Sequence, residues 1–209
     1  MSSAAPLTPE RRRELTRGHL LEAAAEVFAE RGYDRASLDE IARRAGFTKG
    51  AVYSNFANKE ELFLALYHQR QEQMLDGFFD AAATPDPESA AARVTDVYRR
   101  LAPSPDELAL WHEFQLYARR HPGMLERLRN DNRTMLERLV ALVEHYWQAR
   151  GIEPALPADL LARLYVAVFD GLAAQRAIDV DAVPDEVFAR LVEFIDQAAA
   201  ALGGGTAGG

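Results

Sequence analysis

The chain has 209 residues, of which 48% are hydrophobic and 27% are charged, a composition typical of a globular protein of one or two domains. It contains no cysteine, which excludes disulfide bonds and cysteine-ligated metals, and no window approaches the roughly 20 apolar residues of a membrane span. Because its first residues also contain no apolar run typical of a signal peptide, we expect a cytoplasmic protein.

The net charge of −8 is unevenly distributed along the chain. Residues 1–60 hold ten Lys or Arg and nine Asp or Glu, whereas residues 61–209 hold 14 and 23. The N-terminal segment is therefore close to neutral and the remainder is strongly acidic. This division favours a protein in which only the N-terminal segment meets a polyanion such as nucleic acid.

Two helices are predicted at the start of the chain. Apolar residues recur at helical spacing over 12–31, and Gly32 predicts the end of this first helix. Ser37 and Glu40 then form a capping-box pattern, which opens a short second helix. Gly46 predicts its end.

Helical patterns continue to the C-terminal end. Asn58 and Glu61 repeat the capping-box pattern and open a fourth helix that runs to about Asp80. Prolines separate further predicted helices over 88–101, 105–120, 122–150, 157–177 and 184–202. We find no strand pattern, so the prediction is an all-α fold of about nine helices, with disordered ends at 1–10 and 203–209.

The predicted third helix is short and has an almost bare outer face. Thr48 is positioned to cap it, and it reaches about Phe56. At 100° per residue, Phe56 lies beside Val52 on the buried face, and Gly50 and Ser54 point in nearly the opposite direction. Two short helices joined by a glycine-containing turn match a helix-turn-helix, whose second helix lies in the DNA major groove. An ordinary helical hairpin remains an alternative on this pattern alone.

The residue types on this helix suit DNA. Glycine inside a helix costs about 0.5–1 kcal/mol relative to alanine, and close approach of the Gly50 backbone to a ligand would offset that cost. The side chains that suit phosphate oxygens are Thr48, Lys49, Tyr53 and Lys59. Those that suit base edges are Lys49, Ser54, Asn55 and the methyl group of Ala51.

The stretch ASLDEIARRAGFTKGAVYSNFANKEELFLAL at 36–66, preceded by AAAEVFAERGYDRAS, resembles the tetracycline-repressor (TetR) family of transcriptional regulators. The resemblance implies DNA contacts from Ser37, Thr48, Lys49, Gly50, Ala51, Tyr53, Ser54, Asn55 and Lys59. Two positions depart from the common family pattern. Many members have histidine where this chain has Asn55 and threonine where it has Ser37, so the operator sequence stays open.

The resemblance also implies a domain organisation. The DNA-binding domain would cover 11–58, with the helix-turn-helix at 37–56. The body, residues 59–202, would enclose a small-molecule effector and pair with a second copy of the chain.

The last two predicted helices carry more apolar surface than one core covers. Together with the family resemblance and the two-fold symmetry of helix-turn-helix operators, this predicts a homodimer. Burial inside one subunit is the alternative. The predicted interface residues are Leu161, Leu164, Tyr165, Val168, Phe169, Leu172, Phe188, Leu191, Val192 and Ile195.

Aromatic, apolar and polar residues are mixed on the predicted fourth, sixth and seventh helices, as they are in ligand pockets. The candidate effector-binding residues are Tyr67, Met74, Phe78, Trp111, Phe114, Gln115, Tyr117, Met135, Leu139, Leu142 and Tyr146. Plain core packing is the alternative for each of them.

Nothing in the sequence indicates an enzyme, a cofactor or a metal site. The five histidines are far apart in the sequence, and none belongs to a metal-binding motif. No P-loop or G-x-S-x-G motif occurs, and the glycine-rich run at 203–208, which matches G-x-G-x-x-G, is a tail with no strand before it. We therefore predict neither catalytic residues nor a cofactor.

The sequence thus predicts a homodimeric repressor that a small, apolar effector releases from a pseudo-palindromic operator. Two alternatives belong to other classes of protein. One is an all-α small-molecule-binding protein or enzyme with a vestigial DNA-binding head. The other is an architectural DNA-binding protein without an effector, which the acidic body disfavours.

Overall fold

The predicted all-α fold is confirmed. The computed structural model describes residues 8–84, 86–151, 153 and 156–184, and single residues at 187, 190, 191, 194 and 197. Eight α-helices lie in these ranges, and the described residues include no strand. The helices are α1 (Pro9–Arg35), α2 (Leu38–Arg44), α3 (Lys49–Tyr53), α4 (Lys59–Ala82), α5 (Pro87–Leu101), α6 (Pro105–Arg119), α7 (Pro122–Arg150) and α8 (Ala158–Ile178). A short 3-10 helix, Val180–Ala182, follows α8.

The predicted ninth helix, 184–202, falls largely outside the described residues. The five described positions between 185 and 197 are all helical: Val187, Arg190, Leu191, Phe194 and Gln197. The predicted disordered ends, 1–10 and 203–209, lie outside the described residues except for Thr8, Pro9 and Glu10.

Capping and glycine geometry set the helix boundaries near the N-terminus, but α1 is longer than the predicted 12–31, because Thr8 caps its start and helical backbone resumes after Gly32. Ser37 Oγ accepts a hydrogen bond from the Glu40 amide at 3.3 Å and so begins α2. Gly32 and Gly46 have φ angles of 71° and 74°, in the left-handed region that favours glycine. Gly32 interrupts α1 three residues before its end, and Gly46 lies in the turn after α2.

The chain divides into two compact units, of which the first extends to Arg70. Its core contains buried apolar side chains from all of its helices. Phe28, Tyr33 and Phe63 form an aromatic cluster, with ring centroids 5.2 to 6.0 Å apart. Val52 of α3 is fully buried, which fixes the short helix to this core.

The second unit begins at Gln71, and α6, α7 and α8 pack against one another within it. Trp147 and Val143 of α7 form a buried cluster with Leu161 of α8. A second cluster contains Tyr98 of α5 and Val183, with Phe169 of α8 packed against it. None of the described helices is both long and apolar enough to cross a membrane.

Candidate DNA-binding site

The candidate recognition helix, α3, is short because both of its ends are defined by local hydrogen bonds. Thr48 Oγ1 accepts a hydrogen bond from the Ala51 amide at 3.2 Å, as the sequence predicts. The helix ends at Tyr53, three residues earlier than predicted. The chain then continues as a turn, in which the Phe56 amide donates to the Val52 carbonyl at 2.8 Å.

The outer face of α3 is exposed, as helical periodicity in the sequence predicts. Lys49, Gly50, Tyr53 and Ser54 are exposed, and Tyr53 retains 50% of its accessible surface. A Cβ atom added to Gly50 would have Thr48 Oγ1, at 3.8 Å, as its nearest neighbour. The packing of the protein therefore does not require glycine at this position, and close approach of the backbone to DNA stays a prediction.

Lys49 already has an acidic partner in the free protein. Its ammonium group lies 2.8 Å from Asp39 Oδ1 of α2 and 5.9 Å from the centroid of the Tyr53 ring. The hydrogen bond to Asp39 raises the pKa of Lys49 above its ordinary value, so Lys49 is a cation at neutral pH. A DNA phosphate would have to replace Asp39 as its partner.

The side chains of Ser54 and Asn55 bond to the backbone of α3. Ser54 Oγ donates to the Ala51 carbonyl at 2.9 Å, and Asn55 Nδ2 donates to the same oxygen at 2.8 Å. Asn55 Oδ1 is buried and has no hydrogen-bond partner among the described residues. The predicted base contacts of these two residues stay predictions, and each side chain would have to rotate to make them.

The ammonium group of Lys59 binds carbonyls of its own chain, a contact that the sequence does not indicate. Its ammonium group donates to the carbonyls of Tyr33, Asp34 and Ala36 at 2.8, 3.1 and 3.3 Å. Half of the predicted capping box around Lys59 is present: Glu61 N donates to Asn58 Oδ1 at 2.8 Å. The Ala57 amide, and not the Asn58 amide, donates to Glu61 Oε2, at 2.7 Å.

Sequence reasoning missed two arginines of α1 that hold the end of α3. Arg13 donates to the Ser54 carbonyl at 3.0 Å, and Arg17 donates to the Asn55 carbonyl at 3.3 Å. The Arg17 guanidinium carbon also lies 4.4 Å from the centroid of the Phe56 ring. The basic run RRRELTR at 11–17 was the available signal, but it does not indicate which arginine meets which carbonyl.

An ion pair joins α1 to α2 beside the site. Arg44 of α2 makes two hydrogen bonds to the Glu30 carboxylate of α1, at 2.6 and 2.7 Å. This pairing lowers the pKa of Glu30. The helix-turn-helix is thereby held to α1 by polar contacts in addition to its apolar core.

The candidate effector-binding residues divide between buried and half-buried positions. Phe114 and Leu142 are buried, and the other nine are half-buried. Trp111 and Phe114 stack with centroids 6.0 Å apart, and the Tyr117 ring lies 3.9 Å from that of His121. Tyr67 belongs to the first compact unit and the other ten belong to the second.

A cavity of about 260 Å³ lies in the second unit, between the ends of α5 and α8 and the start of α6. None of the eleven candidate residues lines it, so sequence reasoning missed this cavity. The lining residues are Tyr98, Arg99, Ala102, Pro103, Ser104, Pro105, Ala173, Arg176, Ala177 and Val180. The described residues include no group of three or more His, Asp or Glu that could hold a metal ion.

The predicted interface residues of α8 lie mostly on its inner side. Leu161 is only 1% exposed, and Tyr165 and Val168 pack against its cluster. Phe169 and Leu172 pack against the Tyr98 cluster. Leu164 is exposed and Leu191 is half-buried, while Phe188, Val192 and Ile195 lie outside the described residues.

A row of exposed small and apolar residues on α8 contains only one of the predicted interface residues, Leu164. Leu160 and Leu164 are 49% and 42% exposed, and Ala167 and Gly171 continue the same exposed face at helical spacing. Phe194, beyond α8, is also exposed. These residues, and not the buried Leu161, are available for contact with another chain.

A short capped helix, fixed by Val52 and exposed through Lys49 and Tyr53, is the arrangement of helix-turn-helix DNA-binding proteins. The sequence model of the bacterial regulatory proteins of the tetR family matches residues 20–66. That of the C-terminal domain of BetI-type transcriptional repressors matches residues 87–200. The chain belongs to the TetR family of transcriptional regulators.

Individual relatives agree with this assignment. The chain is 44% identical over 72 residues to the transcriptional activator FasR of Mycolicibacterium smegmatis, a match that covers 34% of this chain and 33% of that protein. It is 28% identical over 170 residues to the transcriptional repressor Rv1474c of Mycobacterium tuberculosis, which covers 77% of this chain and 82% of the relative. The structure of GusR from Salmonella enterica is similar with a TM-score of 0.64 and 26% identity, covering 95% of this chain and 98% of GusR.

Proposed function

We propose that the chain is a homodimeric transcriptional repressor that a small-molecule effector releases from a pseudo-palindromic operator. The observation that carries the proposal is the outer face of α3, where Lys49, Tyr53 and the bare Gly50 are exposed together. The DNA-binding domain covers 11–58 and the body covers 59–202. Binding to chromosomal DNA implies a cytoplasmic location.

Repression is favoured over activation by the extent of the matches. Rv1474c, a repressor, aligns over 77% of the chain, whereas FasR, an activator, aligns over 34% of it. The matching C-terminal family model, over residues 87–200, is also that of a repressor. The part of the chain outside the DNA-binding domain therefore resembles repressors.

A homodimer is supported by the exposed face of α8. Leu160, Leu164 and Ala167 are apolar and exposed, and the small Gly171 continues their row. Pairing of this face with a second copy would bury it, as two-fold symmetric interfaces do. The two copies of α3 would then lie about 34–36 Å apart, or a multiple of it, on successive turns of DNA.

The effector is proposed to be small and apolar. Candidate contacts come from the aromatic residues Trp111 and Phe114 and from other residues on α4 and α7, and the 260 Å³ cavity at Tyr98 is a further candidate site. Binding would displace α4, whose first turn belongs to the DNA-binding unit. For this displacement to regulate transcription, the effector must bind the conformation that does not bind DNA more tightly than the one that does, typically by about 1–3 kcal/mol.

The test is binding of the purified protein to the DNA upstream of its own gene, measured by fluorescence anisotropy at two salt concentrations with nonspecific competitor. We expect competitor-resistant binding by two or four chains per site. Lys49→Ala and Tyr53→Phe should weaken binding, and Lys49→Ala should lower the salt slope by about one. Absence of specific binding to this DNA and to a genomic library would overturn the proposal and favour a vestigial head.

A further inference from the structure

The ammonium group of Lys59 is surrounded by acceptors of its own chain. It donates to the carbonyls of Tyr33, Asp34 and Ala36, so three acceptors match the three donors of an ammonium group. It also lies 4.5 Å from the centroid of the Tyr33 ring. All of these groups belong to the first compact unit.

The three carbonyls lie at a position where a cation is stabilising. They follow Gly32, where the helical backbone of α1 is interrupted, and they continue into the connection to α2. Carbonyls at the end of a helix carry partial negative charge, which a nearby cation stabilises. Tyr33 and Ala36 are buried, so that water replaces a lost partner only poorly.

The contact joins two elements that matter for DNA recognition. Lys59 is the first residue of α4, and Ala36 directly precedes Ser37, which caps α2. The lysine therefore ties the start of α4 to the start of the helix-turn-helix. A phosphate would have to compete with three carbonyls already in place.

We propose that Lys59 is a positioning residue, which fixes α2 and α3 relative to the start of α4, and that it does not bind a DNA phosphate. The inference rests on DNA binding by the first unit. It assigns the phosphate contacts of α3 to Lys49, Tyr53 and Thr48. Because Lys59 joins the start of α4 to the residues before α2, a displacement of α4 would also move α2.

Two variants and one control test this inference. Lys59→Met keeps an unbranched side chain and removes every donor, whereas Lys59→Gln removes the charge and keeps N–H donors. Lys49→Ala is the control for loss of a phosphate contact. Thermal unfolding is measured without DNA, and operator affinity is measured at several salt concentrations well below each Tm.

We expect Lys59→Met to lower Tm and to weaken operator binding about tenfold, with an unchanged slope of log Kd against log salt concentration. Lys59→Gln should bind the operator more tightly than Lys59→Met, with the same slope. Lys49→Ala should leave Tm unchanged and lower the slope by about one.

Three outcomes would overturn the inference. A slope lowered by about one in both Lys59 variants would identify a phosphate contact. Wild-type affinity in both variants would leave Lys59 a purely structural role. An unchanged Tm for Lys59→Met would show that the carbonyl contacts contribute nothing to stability. This measurement does not depend on DNA binding. If the wild-type protein binds no operator, the proposed function fails, and the Tm comparison still tests the carbonyl contacts.

Discussion

Lys49 at the start of α3 and Asp39 of α2 form an ion pair, with 2.8 Å between Nζ and Oδ1, on the face proposed to meet DNA. Both side chains are more than half exposed, so the pair adds little to the stability of the fold. Its effect is on binding, because the operator must separate the pair before a phosphate reaches Lys49.

The first prediction follows from this competition. Asp39→Asn removes a negative charge beside the phosphates and releases Lys49, so operator affinity at low salt should rise about three- to tenfold. Glu26→Gln is the control, because it also removes one negative charge, but from a residue of α1 whose partner is Arg44 of α2. An equal gain in both variants would mean that only the net charge of the protein matters.

The second prediction concerns the bare position on α3. Gly50 has no positive φ angle, and a Cβ atom there would make an ordinary contact at 3.8 Å. Gly50→Ala should therefore raise the free energy of unfolding by up to about 0.5–1 kcal/mol. If the backbone approaches DNA closely, the same methyl group should weaken operator binding at least about tenfold.

The control for this prediction is Gly123→Ala in α7, a helical glycine at which an added Cβ would meet nothing within 4 Å. It should leave operator affinity unchanged. Equal operator affinities of Gly50→Ala and wild type would remove close approach of DNA as the reason for the glycine.

The caps and turns of the DNA-binding unit were predictable because each depends on residues close in the sequence. Ser37 and Thr48 each accept an amide three residues ahead, and Gly46 has the backbone conformation that its position after α2 implied. The buried and exposed faces of α3 were predictable for the same reason. Helical periodicity alone places Val52 opposite Gly50.

Contacts between distant parts of the chain were not predictable. Lys59 and Tyr33 are 26 residues apart and Arg17 and Asn55 are 38 apart, and no local pattern indicates which carbonyl a cation will meet. The orientation of α8 is a related case. Because the helix is apolar on more than one side, periodicity does not decide whether Leu161 or Leu164 faces the core.

The third prediction tests a tight contact between α4 and α5. A Cβ atom at Gly77 would lie 2.9 Å from both methyl carbons of Val97, which is buried. Because a β-branched side chain has few rotamers, rotation of Val97 does not relieve the overlap. Gly77→Ala should therefore lower the free energy of unfolding by about 1–3 kcal/mol, or Tm by about 2–4 °C per kcal/mol.

A double-mutant cycle isolates the cause. Val97→Ala removes both methyl groups, so the double variant Gly77→Ala/Val97→Ala should be more stable than the sum of the two single effects implies. Calorimetry of all four proteins gives the coupling energy. If the two changes in unfolding free energy are strictly additive, α4 and α5 move apart slightly without strain. The contact with Val97 would then place no constraint on the residue at position 77.

The fourth prediction concerns the dimer. Leu164 lies on the exposed face of α8, and burial of a carboxylate there without a partner is costly. Leu164→Asp should therefore weaken the dimer on the order of a hundredfold, equivalent to ~2.7 kcal/mol. Light scattering after size exclusion should detect monomer at micromolar concentration, and operator affinity should fall because two linked heads bind the two half-sites.

Leu116→Asp is the matched control, since Leu116 of α6 is an exposed leucine outside α8. It should leave both the mass and the operator affinity unchanged. Circular dichroism should be the same for both variants, because neither side chain belongs to the core. A Leu164→Asp protein that stays dimeric at nanomolar concentration would exclude this face of α8 from the interface and direct attention to the segment around Phe194.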